Sequence, residues 1–144
     1  MDKKEFKKAL ATTLLEYGFV MKNNISRAET DELIIVVSTQ KSNYENSYYL
    51  NYGFLIKELN PELTNPKDNQ CDVFGRLSLN IDGELATTAD FENISSEEFS
   101  SALKISLNER IKPVLEFGLP KYFELFPTAI STVRLNAKKY LGLC

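Results

Sequence analysis

Gln40-Lys41-Ser42 closes one apolar run of this chain, and Asn51-Tyr52-Gly53 interrupts the next. Polar breaks in a strand pattern are where a site or a special turn is expected, because local preference and global pattern disagree there. Together with Arg76 these residues supply amide, hydroxyl, ammonium and guanidinium groups, the chemistry that holds a small anion such as a carboxylate or the polar surface of another protein. A lysine serves as a base only when burial lowers its pKa, and a hairpin loop offers Lys41 no burial. The chain contains no histidine. Serine and cysteine nucleophiles usually need an imidazole base, and zinc and non-haem iron sites usually take at least one imidazole ligand. There is no CxxC pair, GxGxxG turn, GxxxxGK loop or paired-aspartate calcium loop. No catalytic residue, metal or cofactor is expected.

Each of these residues also has a purely structural reading. Gln40 and Ser42 can satisfy backbone groups where a hairpin opens. Asn51 with Gly53 can mark a bulge where a neighbouring backbone or side chain approaches closely. Arg76 can be a solvated charge or the partner of a carboxylate such as Glu84. Among the tyrosines, Tyr48 and Tyr52 share the apolar face of their strand, which leaves Tyr44 and Tyr49 as contact residues. Cys71 reads as an inert buried thiol.

The elements that must position these side chains follow from periodicity. Phe6, Leu10, Leu14 and Tyr17 fall at helical spacing over residues 3–17, and Gly18 can stop a helix. A short strand at 24–28 follows the turn-prone Asn23-Asn24. Next comes the β-branched run Leu33-Ile34-Ile35-Val36-Val37, which reads as a central strand covered on both faces. After a hairpin loop at 41–46, Tyr48, Leu50, Tyr52, Phe54 and Ile56 alternate with Ser47, Tyr49, Asn51 and Gly53, giving one core face and one polar, aromatic face. Residues 57–72 form a long irregular connection carrying Pro61 and Pro66. A fourth strand is expected at 73–81, with Val73, Leu77, Leu79 and Ile81 inward and Arg76, Ser78 and Asn80 outward. Asp82-Gly83 then turns the chain into an edge strand at 84–88. Ser95-Ser96-Glu97-Glu98 is a capping box for a helix bearing Phe99, Leu103, Leu107 and Ile111. Pro113 and Gly118 interrupt the helices that follow, Pro120 opens a short apolar segment at 119–126, and a last helix is expected at 127–141. The order describes an α+β domain, a mostly antiparallel sheet of about five strands with the N-terminal and C-terminal helices on one face.

Several of these residues together resemble a known pattern. The helix ending in Gly18-Phe19, the strand closing in Gln40-Lys41-Ser42, the strand Tyr49-Leu50-Asn51-Tyr52-Gly53, and Cys71 followed by Arg76 look like a bacterial family catalogued as domain of unknown function 4304, over about residues 6–126. That family often carries histidine after the cysteine and tryptophans further on. Here Asp72 follows Cys71 and there is no Trp. The resemblance implies a fold and a residue pattern rather than an activity.

Size and charge bound the remaining possibilities. A chain of 144 residues that is 43% hydrophobic can bury one core without staples, so residues 1–144 are expected to form a single domain. A net charge of −3 and a pI near 5.1 argue against nucleic-acid and anionic-membrane partners, which need a basic field, and favour a basic protein partner. The charged N-terminus is unlike a signal peptide and no run is long enough to span a bilayer, so a cytoplasmic protein with reduced Cys71 and Cys144 is expected. The preferred reading is a small protein-binding domain, comparable in size and charge to immunity proteins, with Gln40, Ser42, Tyr49, Asn51 and Arg76 in its contact face. The alternative is an enzyme or ligand-binding domain that holds a small anion with Gln40, Lys41, Asn51 and Arg76. The oligomeric state is not encoded in any pattern found here.

Overall fold

A computed structural model describes residues 1–43, 47–86, 88–90 and 93–143, with the backbone alone for 88–90. Tyr44 and Cys144 lie outside the described residues, as does half of the expected hairpin loop at 41–46. Helix α1 (Lys3–Leu15) begins where the Asp2 carboxylate accepts from Glu5 N at 2.8 Å and Glu5 reaches back to Asp2 N, a reciprocal cap that satisfies two orphan donors. Phe6, Leu10 and Leu14 form its buried stripe. Gly18, at φ 88°, then reverses the chain.

Strands β1 (Val20–Lys22), β2 (Ile25–Glu29), β3 (Leu33–Lys41), β4 (Ser47–Ile56) and β5 (Val73–Arg76) run antiparallel in sequence order across one sheet. Strand β6 (Leu79–Ile81) pairs with β7 (Glu84–Ala86) in a separate hairpin, and β8 (Thr88–Asp90) returns to pair with Ser47–Tyr49 of β4. Asn23 and Asn24 have φ of 54° and 65°, and Asp82 and Gly83 have 54° and 83°; both pairs form the two-residue turns that match the twist of a hairpin.

Three expectations are corrected. Asn24 belongs to a turn rather than to the strand expected at 24–28, because a three-residue strand precedes it and closes a hairpin. The strand expected at 73–81 is two strands. One edge of β4 is filled by β5 over Asn51–Phe54 and by β8 over Ser47–Tyr49, so the chain leaves the sheet after Leu77 N donates to Leu50 O. The last helix is also split, into a 3-10 segment (Pro127–Thr132) and an α-helix (Leu135–Leu141). Ser131 and Thr132 hydroxyls take the carbonyls of Thr128 and Ala129 at 3.0 Å, and Val133 and Arg134 are extended.

The remaining helices are α2 (Ser96–Arg110), α3 (Lys112–Phe117) and α4 (Leu119–Leu125); with Leu135–Leu141 as α5, they close the fold. The capping box at Ser95 and Glu98, the break at Pro113 and the left-handed Gly118 all stand where local chemistry requires them. Phe6, Leu10 and Leu14 of α1, Phe99, Leu103 and Leu107 of α2, and Tyr122 of α4 pack on one face of the sheet against Ile35, Val37, Leu50, Tyr52 and Phe54. No helix among the described residues is long and apolar enough to cross a membrane.

Candidate functional site

The sheet face turned away from the helices is built in rows set by strand register. One row runs Ile25, Ser38, Asn51, Arg76; the next runs Arg27, Val36, Gly53, Phe74. Gln40 and Tyr49 are paired one step beyond Ser38 and Asn51. The end of the 57–72 connection lies across the middle of this face as a strap. Ser38 Oγ donates to Asp68 Oδ1 at 2.7 Å, and Ile34, Val36, Leu55 and Cys71 form a small apolar cluster beneath the strap. Arg27 donates from Nε to Pro66 O (3.0 Å) and from Nη2 to Asn65 O (3.2 Å), while Arg134 donates to Asn69 O (3.1 Å). Gly53 permits the strap's close approach, since a Cβ there would lie 2.6 Å from Cys71 Sγ. A neighbouring side chain does approach Gly53 closely, but the expected bulge is corrected: the pairing through Gly53 is continuous.

Outside the strap, four of the five expected site residues meet. Arg76 Nε donates to Asn51 Oδ1 at 3.1 Å, Asn51 Nδ2 donates to Gln40 Oε1 at 3.0 Å, and the Arg76 guanidinium lies 4.0 Å from the centre of the Tyr49 ring. A further bond from Arg76 Nη2 to Gln40 Oε1 is long, at 3.4 Å. None of the ion pairs among the described residues involves Arg76, so its partner is not Glu84. Ser42 stands apart. It is buried at the hairpin mouth, where its backbone N donates to Ser47 O at 3.0 Å. Lys41 is exposed and belongs to β3 rather than to a loop.

Beside the Arg76 cluster lies an open groove of about 440 Å³, whose lining includes Gln40, Asn51, Asp68, Phe74, Arg76 and Thr132. Phe74, 48% exposed, was not singled out from the sequence. The available signal was its even position beside Arg76 and Ser78, an aromatic ring on an outward-facing parity. Asp68 and Thr132 carried no such signal, because both lie in aperiodic segments that only the tertiary fold brings to the sheet. The groove combines a fixed guanidinium, amide donors and acceptors and an aromatic wall, which suit a carboxylate, a backbone amide or a planar polar group.

Other ionisable groups lie inward. Cys71 is fully buried, and its thiol is pushed up to about 12 by burial first and then by the Asp68 and Asp72 carboxylates, against the opposing charges of Arg134 and Arg27. Asp72, also buried, accepts through Oδ2 from Ile56 N (2.8 Å) and Asn60 Nδ2 (3.0 Å), tying the start of the connection to its end. Tyr52 is raised well above the usual phenol range, mainly by burial and then by its hydrogen bond with Tyr122.

Comparison with known proteins agrees with the residue pattern. The model of the family described as a domain of unknown function (DUF4304) matches residues 10–117, three quarters of the chain, and the chain belongs to that family. No curated protein and no solved structure matches it.

Proposed function

We propose that this member of the DUF4304 family is a protein-binding module that engages its partner through Tyr49, Asn51, Phe74 and Arg76. The observation that carries the reading is the Arg76 guanidinium, stacked 4.0 Å from the Tyr49 ring centre and tied to Asn51, next to a Phe74 that is 48% exposed. Arginine and aromatic side chains are the residues enriched at the centres of interfaces, where few anchors supply most of the binding energy. Arg76 is already ordered by its neighbours, so it loses less rotamer freedom on docking than a free surface arginine. None of the ion pairs among the described residues involves Arg76, so its remaining N–H donors can serve a polar group of the partner. At longer range the net charge of −3 favours a partner that is basic overall, as with a small acidic protein that caps a basic domain. A reducing, cytoplasmic compartment goes with an unpaired Cys71.

Binding of a small anion by Gln40, Lys41, Asn51 and Arg76 is the weaker reading. Asp68 lines the groove and Lys41 does not, so an anion there would meet one guanidinium and one carboxylate. The test is capture of partners by the wild type and by a Tyr49→Ala, Phe74→Ala, Arg76→Ala variant with an unchanged thermal midpoint. A basic protein retained by the wild type and lost by the variant supports the interaction reading. Equal retention by both would overturn it.

A further inference from the structure

The strap divides the outer sheet face, and the groove holding Arg76 is only one side of it. On the other side lies a cleft of about 520 Å³ lined by Lys22, Asn23, Ile25, Arg27, Asn65 and Lys67. That lining contains three cations and no carboxylate, in a chain where Asp and Glu outnumber Lys and Arg by 20 to 17. None of the ion pairs among the described residues involves any of the three. Arg27 is partly buried, and its bonds to Pro66 O and Asn65 O orient the guanidinium without neutralising it, leaving donors on both terminal nitrogens beyond those two contacts. Gathering three like charges around one concave space is unfavourable unless an anion offsets it.

We propose that this cleft binds the phosphate group of a small phosphomonoester, with Arg27 as the fixed fork and Lys22 and Lys67 as flanking point charges. An arginine whose fork is held in place suits the tetrahedral oxygens of phosphate, and lysines add charge without demanding one geometry. A dianion answers three cations better than a single carboxylate does. The cleft exceeds the needs of a bare phosphate and lies within the range of small-molecule sites, roughly 300–1,000 Å³; Ile25 offers an apolar wall for the organic portion. The Arg76 groove is less suited to this ligand, because Asp68 shares its lining. The proposal is independent of the protein-binding reading, since the two sites share no lining residue.

The experiment is a titration of the full chain, at constant ionic strength, with inorganic phosphate, glycerol phosphate and uncharged glycerol, followed by amide NMR shifts. Saturable shifts at Lys22, Asn23, Arg27 and Lys67 with both phosphate species, and none with glycerol, are expected. Lys22→Gln with Lys67→Gln removes two exposed charges and leaves the arginine clamp in place; the double variant should weaken binding by roughly tenfold or more while the β3 and β4 amides keep their positions. Arg27→Lys, which keeps the charge but loses the fork, should weaken binding as well. Shifts that never saturate, that spread over all surface lysines, that persist unchanged in the double variant, or that arise with phosphate but not with its ester would each overturn the proposal.

Discussion

Gly53 and Cys71 are a pair that neither position explains alone. An added Cβ at Gly53 would stand 2.6 Å from Cys71 Sγ and 3.1 Å from Asp68 O, so the strap would have to lift from the sheet. Gly53→Ala is expected to cost about 1–3 kcal/mol, the range for overpacking a tight site, and urea denaturation would read it as a lower midpoint. An unchanged midpoint would mean that the strap yields freely. For Cys71 the sign follows from its raised pKa. The folded state keeps the thiol protonated up to about 12, whereas the unfolded chain ionises it near 9.0, so the stability tied to this group is intact below about 9 and is lost as pH rises towards about 12. Cys71→Ala should therefore flatten the alkaline limb of the stability curve relative to wild type. At neutral pH, iodoacetamide should reach Cys71 only after unfolding, and mass spectrometry finding it alkylated in the native protein would contradict its burial.

At the scale of elements, the pieces held by local chemistry were readable and the pieces held by distant contacts were not. The Asp82-Gly83 turn, the capping box at Ser95 and the breaks at Pro113 and Gly118 depend on residues within a few positions of one another. The strap depends on Arg27, Ser38 and Arg134, which come from three separate parts of the chain. Asp68→Ala should strand the Ser38 hydroxyl under it at a cost of about 1–3 kcal/mol. Amide exchange should then speed up over 67–71 while β3 and β4 stay protected; faster exchange throughout the sheet would show that the strap is not a separable element. On the helical face, the Tyr52 and Tyr122 hydroxyls meet at 2.7 Å and pin α4 to β4. Tyr52→Phe should cost roughly 1–3 kcal/mol by leaving Tyr122 unpaired, and the double Tyr52→Phe, Tyr122→Phe variant should recover part of it. Strict additivity of the two changes would remove the hydroxyl pair from the account.

For the molecule as a whole, charge acts at two distances. On the proposed protein-binding reading, the net charge of −3 would steer a basic partner from afar, while Arg76, held by Asn51 and Tyr49, would act at contact. Association with such a partner should slow as salt rises, because screening over about 10 Å at 0.1 M removes steering. Tyr49→Ala should mainly speed dissociation, since an aromatic anchor is lost after the encounter has formed. Stopped-flow kinetics separates the two; a salt-independent association rate would detach the net charge from recognition.

The sequence by itself determined the α+β class, the order of the main elements and the inward residues of nearly every one, because burial follows a period of two or 3.6 that any segment carries within itself. It also brought Gln40, Tyr49, Asn51 and Arg76 forward, as polar residues on the outward parity of apolar strands. Tertiary structure decided which of them meet. Register places Arg76 opposite Asn51, Ser42 falls at the hairpin mouth away from them, and Phe74 joins only because β5 occupies the edge of β4. It also decided that the outer face is divided rather than open. The strap that divides it has no period, and apart from the Ser38–Asp68 bond the hydrogen bonds that hold it go to backbone carbonyls taken by Arg27 and Arg134, acceptors that every residue possesses and that no side-chain pattern can advertise.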